Sequence, residues 1–161
     1  MSDKINLCIL APDFYPTWGG LGIFILDLIK HLPYNRFNID VVAVRRISYG
    51  KMIAPQTPLR LSRNVKVHYI TPAYETFVYN MFFQYSCFKY VRRLLMERDI
   101  DVIVSHTAPM PDILLRFFTK KPILTCIQTT FKHQFKSIRP NLRYFDYMDR
   151  SERLTFMLYP L

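Results

Sequence analysis

Residues 5–32 read INLCILAPDFYPTWGGLGIFILDLIKHL, and the order of features in this stretch decides the fold. Ile5 to Ala11 is a continuous apolar run, the pattern of a strand covered on both faces. A turn-rich loop follows and carries Gly19-Gly20-Leu21-Gly22. It opens into a helical pattern in which Leu21, Ile25, Leu28, Ile29 and Leu32 share a face. Strand, glycine turn and helix N-terminus in that order suit a negatively charged group, because first-turn N–H groups have no partner inside the helix and the helix dipole favours an anion. Three of the four glycines of the chain fall between Gly19 and Gly22, so backbone freedom is concentrated where a ligand would approach.

Outward from this unit, apolar strand-like runs recur at Asn38–Val44, Val65–Ile70, Asp101–Ser105 and Pro122–Ile127. Helical patterns separate several of them. One runs from about Tyr74 to Arg98, with Phe77, Met81, Tyr85, Phe88, Val91 and Leu95 in register. A shorter one covers Pro111 to Thr119, and a fourth includes Arg150 to Tyr159. Strands alternating with helices predict an α/β fold with a doubly wound parallel sheet. Residues 45–64, with Gly50, Pro55 and Pro58, read as a long connection. Tyr79, Phe82 and Tyr90 lie off the apolar face of the second helix. Either both sides of that helix are covered within the fold, or the aromatics and Lys89, Arg92 and Arg93 meet a membrane surface.

Composition narrows the function classes. A chain of 161 residues, 50% hydrophobic, is one domain with a real core and is not a disordered segment. Cys8, Cys87 and Cys126 are far apart in sequence and read as buried thiols, with no metal motif and no disulfide framework. Neither a secretory leader nor an apolar run long enough to span a bilayer is visible. The net charge is +10. It is uneven: no acid lies between Asp40 and Glu75, an interval holding Arg45, Arg46, Lys51, Arg60, Arg63 and Lys66. That run is either a solvated loop or an attraction for a phosphate-bearing partner, namely an anionic membrane surface, a phospho-sugar or a nucleic acid. No nucleic-acid recognition element accompanies it, so nucleic acid is not an expected partner.

Three segments together resemble the N-terminal domain of retaining GT-B glycosyltransferases of the family 4 type. Asp13-Phe14-Tyr15-Pro16-Thr17-Trp18-Gly19-Gly20-Leu21-Gly22 is similar to the family's opening loop, a Tyr-Pro followed shortly by Gly-Gly-x-Gly. Asp101 to Pro109, DVIVSHTAP, resembles its fourth-strand segment, in which a strand ends in a histidine and a helix follows. Lys121 to Thr130, KPILTCIQTT, is similar to the next strand. Their order and spacing agree across nearly the whole chain. The resemblance implies a Rossmann-like, acceptor-side domain over residues 1–161, ending before its last strand. The nucleotide-sugar domain, with its pair of acids about seven residues apart, is absent, and family members are about twice this length.

What the resemblance implies about function is transfer of a hexose from a nucleotide-sugar to a saccharide or lipid-linked acceptor, without a metal or other cofactor. The 161-residue chain is then expected to be inactive alone, or to be a non-catalytic binding subunit acting with a partner chain that supplies the donor domain. It would be cytoplasmic and peripheral on the inner face of a membrane. Gly19, Gly20 and Gly22 take the donor phosphate and sugar loop. His106, at a strand end, is the catalytic-site candidate. Tyr15 and Trp18, the only tryptophan, are acceptor-side aromatics or loop-packing anchors. Gln128 stands where the family often has histidine; it can hydrogen-bond a sugar hydroxyl but cannot titrate. Thr129 and His133 complete the acceptor set. His31 and His68 read as surface or core histidines. A hydrolase needs two carboxylates facing across a cleft, and only Asp13 and Asp112 lie near strand ends.

Overall fold

The computed structural model describes residues 4–12, 14–15, 20–48, 51–52, 61–74, 81–106 and 109–126, with Arg150, Arg153 and Met157. Strand β1 (Ile5–Ala11) leads to helix α1 (Gly20–His31), then β2 (Phe37–Ser48), β3 (Lys51–Met52) and β4 (Val65–Tyr74). Helix α2 (Met81–Glu97), β5 (Val102–Ser105), α3 (Pro109–Phe118) and β6 (Ile123–Thr125) follow. Arg150, Arg153 and Met157 are helical.

The parallel strands lie in the order β4-β2-β1-β5-β6, with β3 antiparallel to the end of β2. This is the order of a Rossmann-like sheet, with the chain winding from β1 towards one edge and then returning to the other. β1 is central because neither of its faces needs water: Cys8, Ile9, Leu10 and Ala11 are all fully buried. Their alternation divides the core. Leu7, Ile9 and Ala11 pack with Ile25 and Ile29 of α1. Cys8 and Leu10 pack with Cys87, Val91 and Leu94 of α2 and Leu115 of α3. The sheet is therefore covered on both faces, and each large side chain buried in it contributes about 1.5–3 kcal/mol.

Local chemistry sets the helix ends. Lys30 and His31 occupy the last turn of α1, where a cation complements the dipole, and the His31 ring nitrogen Nδ1 lies 2.7 Å from the Asp27 carbonyl. Pro33 then forbids continuation. Helix α2 is tied to α3 by the Arg92 guanidinium, 4.8 Å above the Phe118 ring.

Three sequence expectations are corrected. Residues 45–48 and 51–52, read as part of a long connection, are strand. Ile47 pairs with Tyr74 on one side and Met52 on the other, so β3 takes the edge of β2 left open where β1 stops opposite Ala43. Tyr74 ends a strand and does not start the second helix, which is described from Met81. β4 runs through Pro72 because it is an edge strand past a register shift at Val44/Arg45, where a missing N–H costs no ladder bond. Of the expected face of α2, Val91 is buried and Phe88 and Leu95 pack against the same core, while Tyr85 is exposed; Cys87 and Leu94 complete the buried face. Tyr90 is covered within the fold, whereas Phe77 and Tyr79 lie outside the described residues.

Candidate functional site at the carboxyl edge of the sheet

From β1 the chain turns towards β2, and from α2 it returns to β5 on the opposite side of β1. Loops leaving the carboxyl ends of β1 and β5 therefore diverge, and the crevice between them is where open α/β sheets bind ligands. His106 stands there. Its backbone N–H donates to the Leu10 carbonyl at 2.9 Å, extending the β1–β5 ladder by one residue and fixing the side chain at the strand end.

His106 is 4% exposed, and neither ring nitrogen has a hydrogen-bond partner among the described residues. Its ring meets Phe24 of α1 edge-on, with centroids 5.8 Å apart. Burial pushes the imidazole below its ordinary pKa, so the ring is neutral at pH 7. A neutral imidazole carries one donor and one acceptor. Leaving both unsatisfied costs about 1–3 kcal/mol, a cost that asks for an explanation.

The two helix N-termini at this edge differ. In α3, Asp112 sits in the first turn, fully buried, where its carboxylate complements the dipole. Thr125 at the end of β6 donates its hydroxyl to Asp112 at 2.8 Å. In α1 the first turn, Gly20-Leu21-Gly22-Ile23, carries no acid. A Cβ placed on Gly20 would meet nothing within 4 Å, so the fold leaves open space beside that backbone. Gly22, in the first turn of the helix, is buried.

The expected site residues thus separate. His106, Gly20 and Tyr15 belong to the crevice elements. Tyr15 packs in the α1-side core, and its carbonyl accepts a hydrogen bond from the Tyr69 hydroxyl of β4. Gly19, Trp18, Asp13, Gln128, Thr129 and His133 lie outside the described residues. His31 is an exposed helix-end residue and His68 is a half-buried histidine bonded to Asp40. Sequence reasoning missed the Asp112–Thr125 pair, whose signal was a carboxylate in the first turn of a helix after a strand end. It also missed Phe24 against His106, for which spacing gave no signal.

The thiols do not take part. Cys8 and Cys87 are buried and Cys126 half-buried, all unpaired with one another, and burial pushes every one of them above the ordinary thiol pKa. Among the described residues no three His, Cys, Asp or Glu side chains converge to hold a metal ion, and no helix is long and apolar enough to cross a membrane. No protein-family model matches the chain, and no curated protein matches it. The class is set by the strand order and the two-faced core: a Rossmann-like α/β domain with a buried histidine, unpartnered among the described residues, at its switch point.

Proposed function

We propose that this chain is the acceptor-side domain of a retaining GT-B glycosyltransferase, moving a sugar from a nucleotide-sugar to a saccharide or lipid-linked acceptor. The observation that carries the reading is His106, buried and neutral, with both ring nitrogens unpartnered among the described residues at the carboxyl edge between β1 and β5. A sugar offers hydroxyls that donate and accept at once, which is the complement of a neutral imidazole. The acid-free N-terminus of α1 suits the other half of the reaction. Transfer releases a diphosphate, and backbone N–H groups already aimed at it stabilise the charge as it develops. Glycine at position 20 lets that group approach the backbone.

In this reading His106 positions the reacting sugar, Gly19, Gly20 and Gly22 line the donor phosphates, and Tyr15, Trp18, Gln128, Thr129 and His133 face the acceptor. The donor is gripped by a second domain, and the basic interval 41–74 draws the protein to an anionic membrane face from the cytoplasmic side. The test is sugar transfer from nucleotide-sugar donors by the complete assembly in which the domain works. His106→Ala is expected to lower the rate by about 10²-fold or more, the scale of losing one aligned polar group at the reacting centre, with the melting temperature retained. Unchanged transfer removes His106 from the reaction.

A further inference from the structure

The opposite, amino edge of the sheet carries a second polar groove of about 580 Å³, remote from His106 in the fold. It is lined where β1, β2 and β4 begin, and it continues into a shallower hollow sharing Asn38, Arg63 and Asn64. We propose that this groove binds a phosphorylated polyol, with Arg63 and Lys66 holding the phosphate and the asparagines Asn6, Asn38 and Asn64 holding the hydroxyls.

The charges of the groove do not cancel. Asp40 is buried and already engaged, by the Arg98 guanidinium at 2.5 Å and by His68 Nε2 at 2.6 Å. Asp99 is engaged by Lys121 at 3.0 Å. Arg63 and Lys66 have no acidic partner among the described residues, although Lys66 stands beside Asp40 in the strand register. Both are exposed. Two cations on one groove wall without an acidic partner among the described residues favour a multiply charged anion, and a guanidinium and an ammonium both suit phosphate oxygens.

The asparagines give the chemistry its second half. Asn38 Nδ2 donates to Asn6 Oδ1 at 2.9 Å, and Asn64 Nδ2 donates to the Phe37 carbonyl at 2.7 Å. These bonds fix the amides in place. They leave the Asn6 amide N–H groups and the Asn38 and Asn64 side-chain carbonyls without a described partner, an array of fixed donors and acceptors. A phosphate uses mainly donors, its P–OH offering at most one or two protons, whereas a polyol uses donors and acceptors in equal measure. A hydroxylated ring bearing a phosphate satisfies the whole wall, and the volume accommodates one such ring. The groove shares no residue with the carboxyl-edge crevice around His106, although Arg63 and Lys66 belong to the basic interval that the proposed function assigns to membrane attraction.

The test is calorimetric titration of the full chain with myo-inositol 1-phosphate, inorganic phosphate and myo-inositol, alongside the Arg63→Ser/Lys66→Ser variant. The inositol phosphate is expected to bind about tenfold or more tighter than either part alone, and the double variant to lose about tenfold or more, with an unchanged melting temperature. His106→Ala is expected to leave this binding untouched. Phosphatidylcholine vesicles with and without phosphatidylinositol separate the two sources of such a group. Vesicle binding displaced by the free compound assigns a lipid headgroup, and binding of the free compound alone assigns a soluble one. Equal affinity for inorganic phosphate, undiminished binding in the double variant, or no binding of any probe overturns the proposal.

Discussion

Replacing His106 with leucine is expected to make the protein more stable while removing its site. The imidazole is buried with neither ring nitrogen partnered among the described residues, and filling the space with an apolar side chain of similar volume removes a desolvation cost of about 1–3 kcal/mol. A gain near the lower end, about 1 kcal/mol, is expected at pH 7.5, equivalent to about 2–4 °C in melting temperature for a chain of this size. The pH dependence gives the sharper comparison. Burial lowers the folded-state pKa of His106 below its ordinary 6.5. The unfolded chain therefore binds the proton first as pH falls. Stability is complete above 6.5 and drains away below it, until the folded-state pKa is reached. At pH 5.5 the wild-type protein loses up to about 1.4 kcal/mol that His106→Leu keeps. Urea denaturation of both proteins between pH 5 and 8 measures the difference directly, since the other histidines are common to both. Parallel stability curves, or a leucine variant less stable than wild type at pH 7.5, would refute the reasoning.

Other residues give independent checks. Asp40→Asn leaves Arg98 and His68 facing a neutral amide and is expected to cost about 2 kcal/mol, less than a fully buried pair because the Arg98 side chain is 36% exposed; the denaturation midpoint reads it. Thr125→Val removes the hydroxyl donated to buried Asp112 and is expected to cost about 1–3 kcal/mol by the same measurement. In thiol labelling at pH 8, Cys126 is expected to react before Cys8 and Cys87, which should react only on unfolding because they are fully buried. Early labelling of Cys8 contradicts the packing of β1.

The parts of the fold legible from sequence were those whose burial is continuous. β1 and β5 have successive residues buried on opposite faces, so an apolar run sufficed to place them. The end of β2 was not legible. Arg45 and Arg46 and the nearby Gly50 look like loop, and only the long-range pairing with β4 and β3 makes them strand. The last residues of β4, read as ending at Ile70, likewise run on through Pro72 to Tyr74 by pairing with Arg45 to Ile47. On α2 periodicity found Phe88, Val91 and Leu95, which pack on the core, but not Cys87 and Leu94, which are buried with Cys8 and Leu10 of β1. At the site, His106 was legible as a polar residue ending an apolar strand. The chain from Asp40 through His68 to the Tyr90 hydroxyl, 2.9 Å from His68 Nδ1, was not. Its members lie 28 and 22 residues apart and meet only because β2 and β4 pair in the sheet and α2 packs across them.

Ring nitrogen resonances of His106, in protein labelled with ¹⁵N-histidine and assigned by loss in His106→Leu, test the central claim most directly. The account predicts the neutral imidazole pattern at pH 7 and a shift of both nitrogens when a saccharide acceptor or nucleotide-sugar is titrated in. A ring already protonated at pH 7, or one whose resonances stay fixed while the ligand saturates the protein, would contradict it.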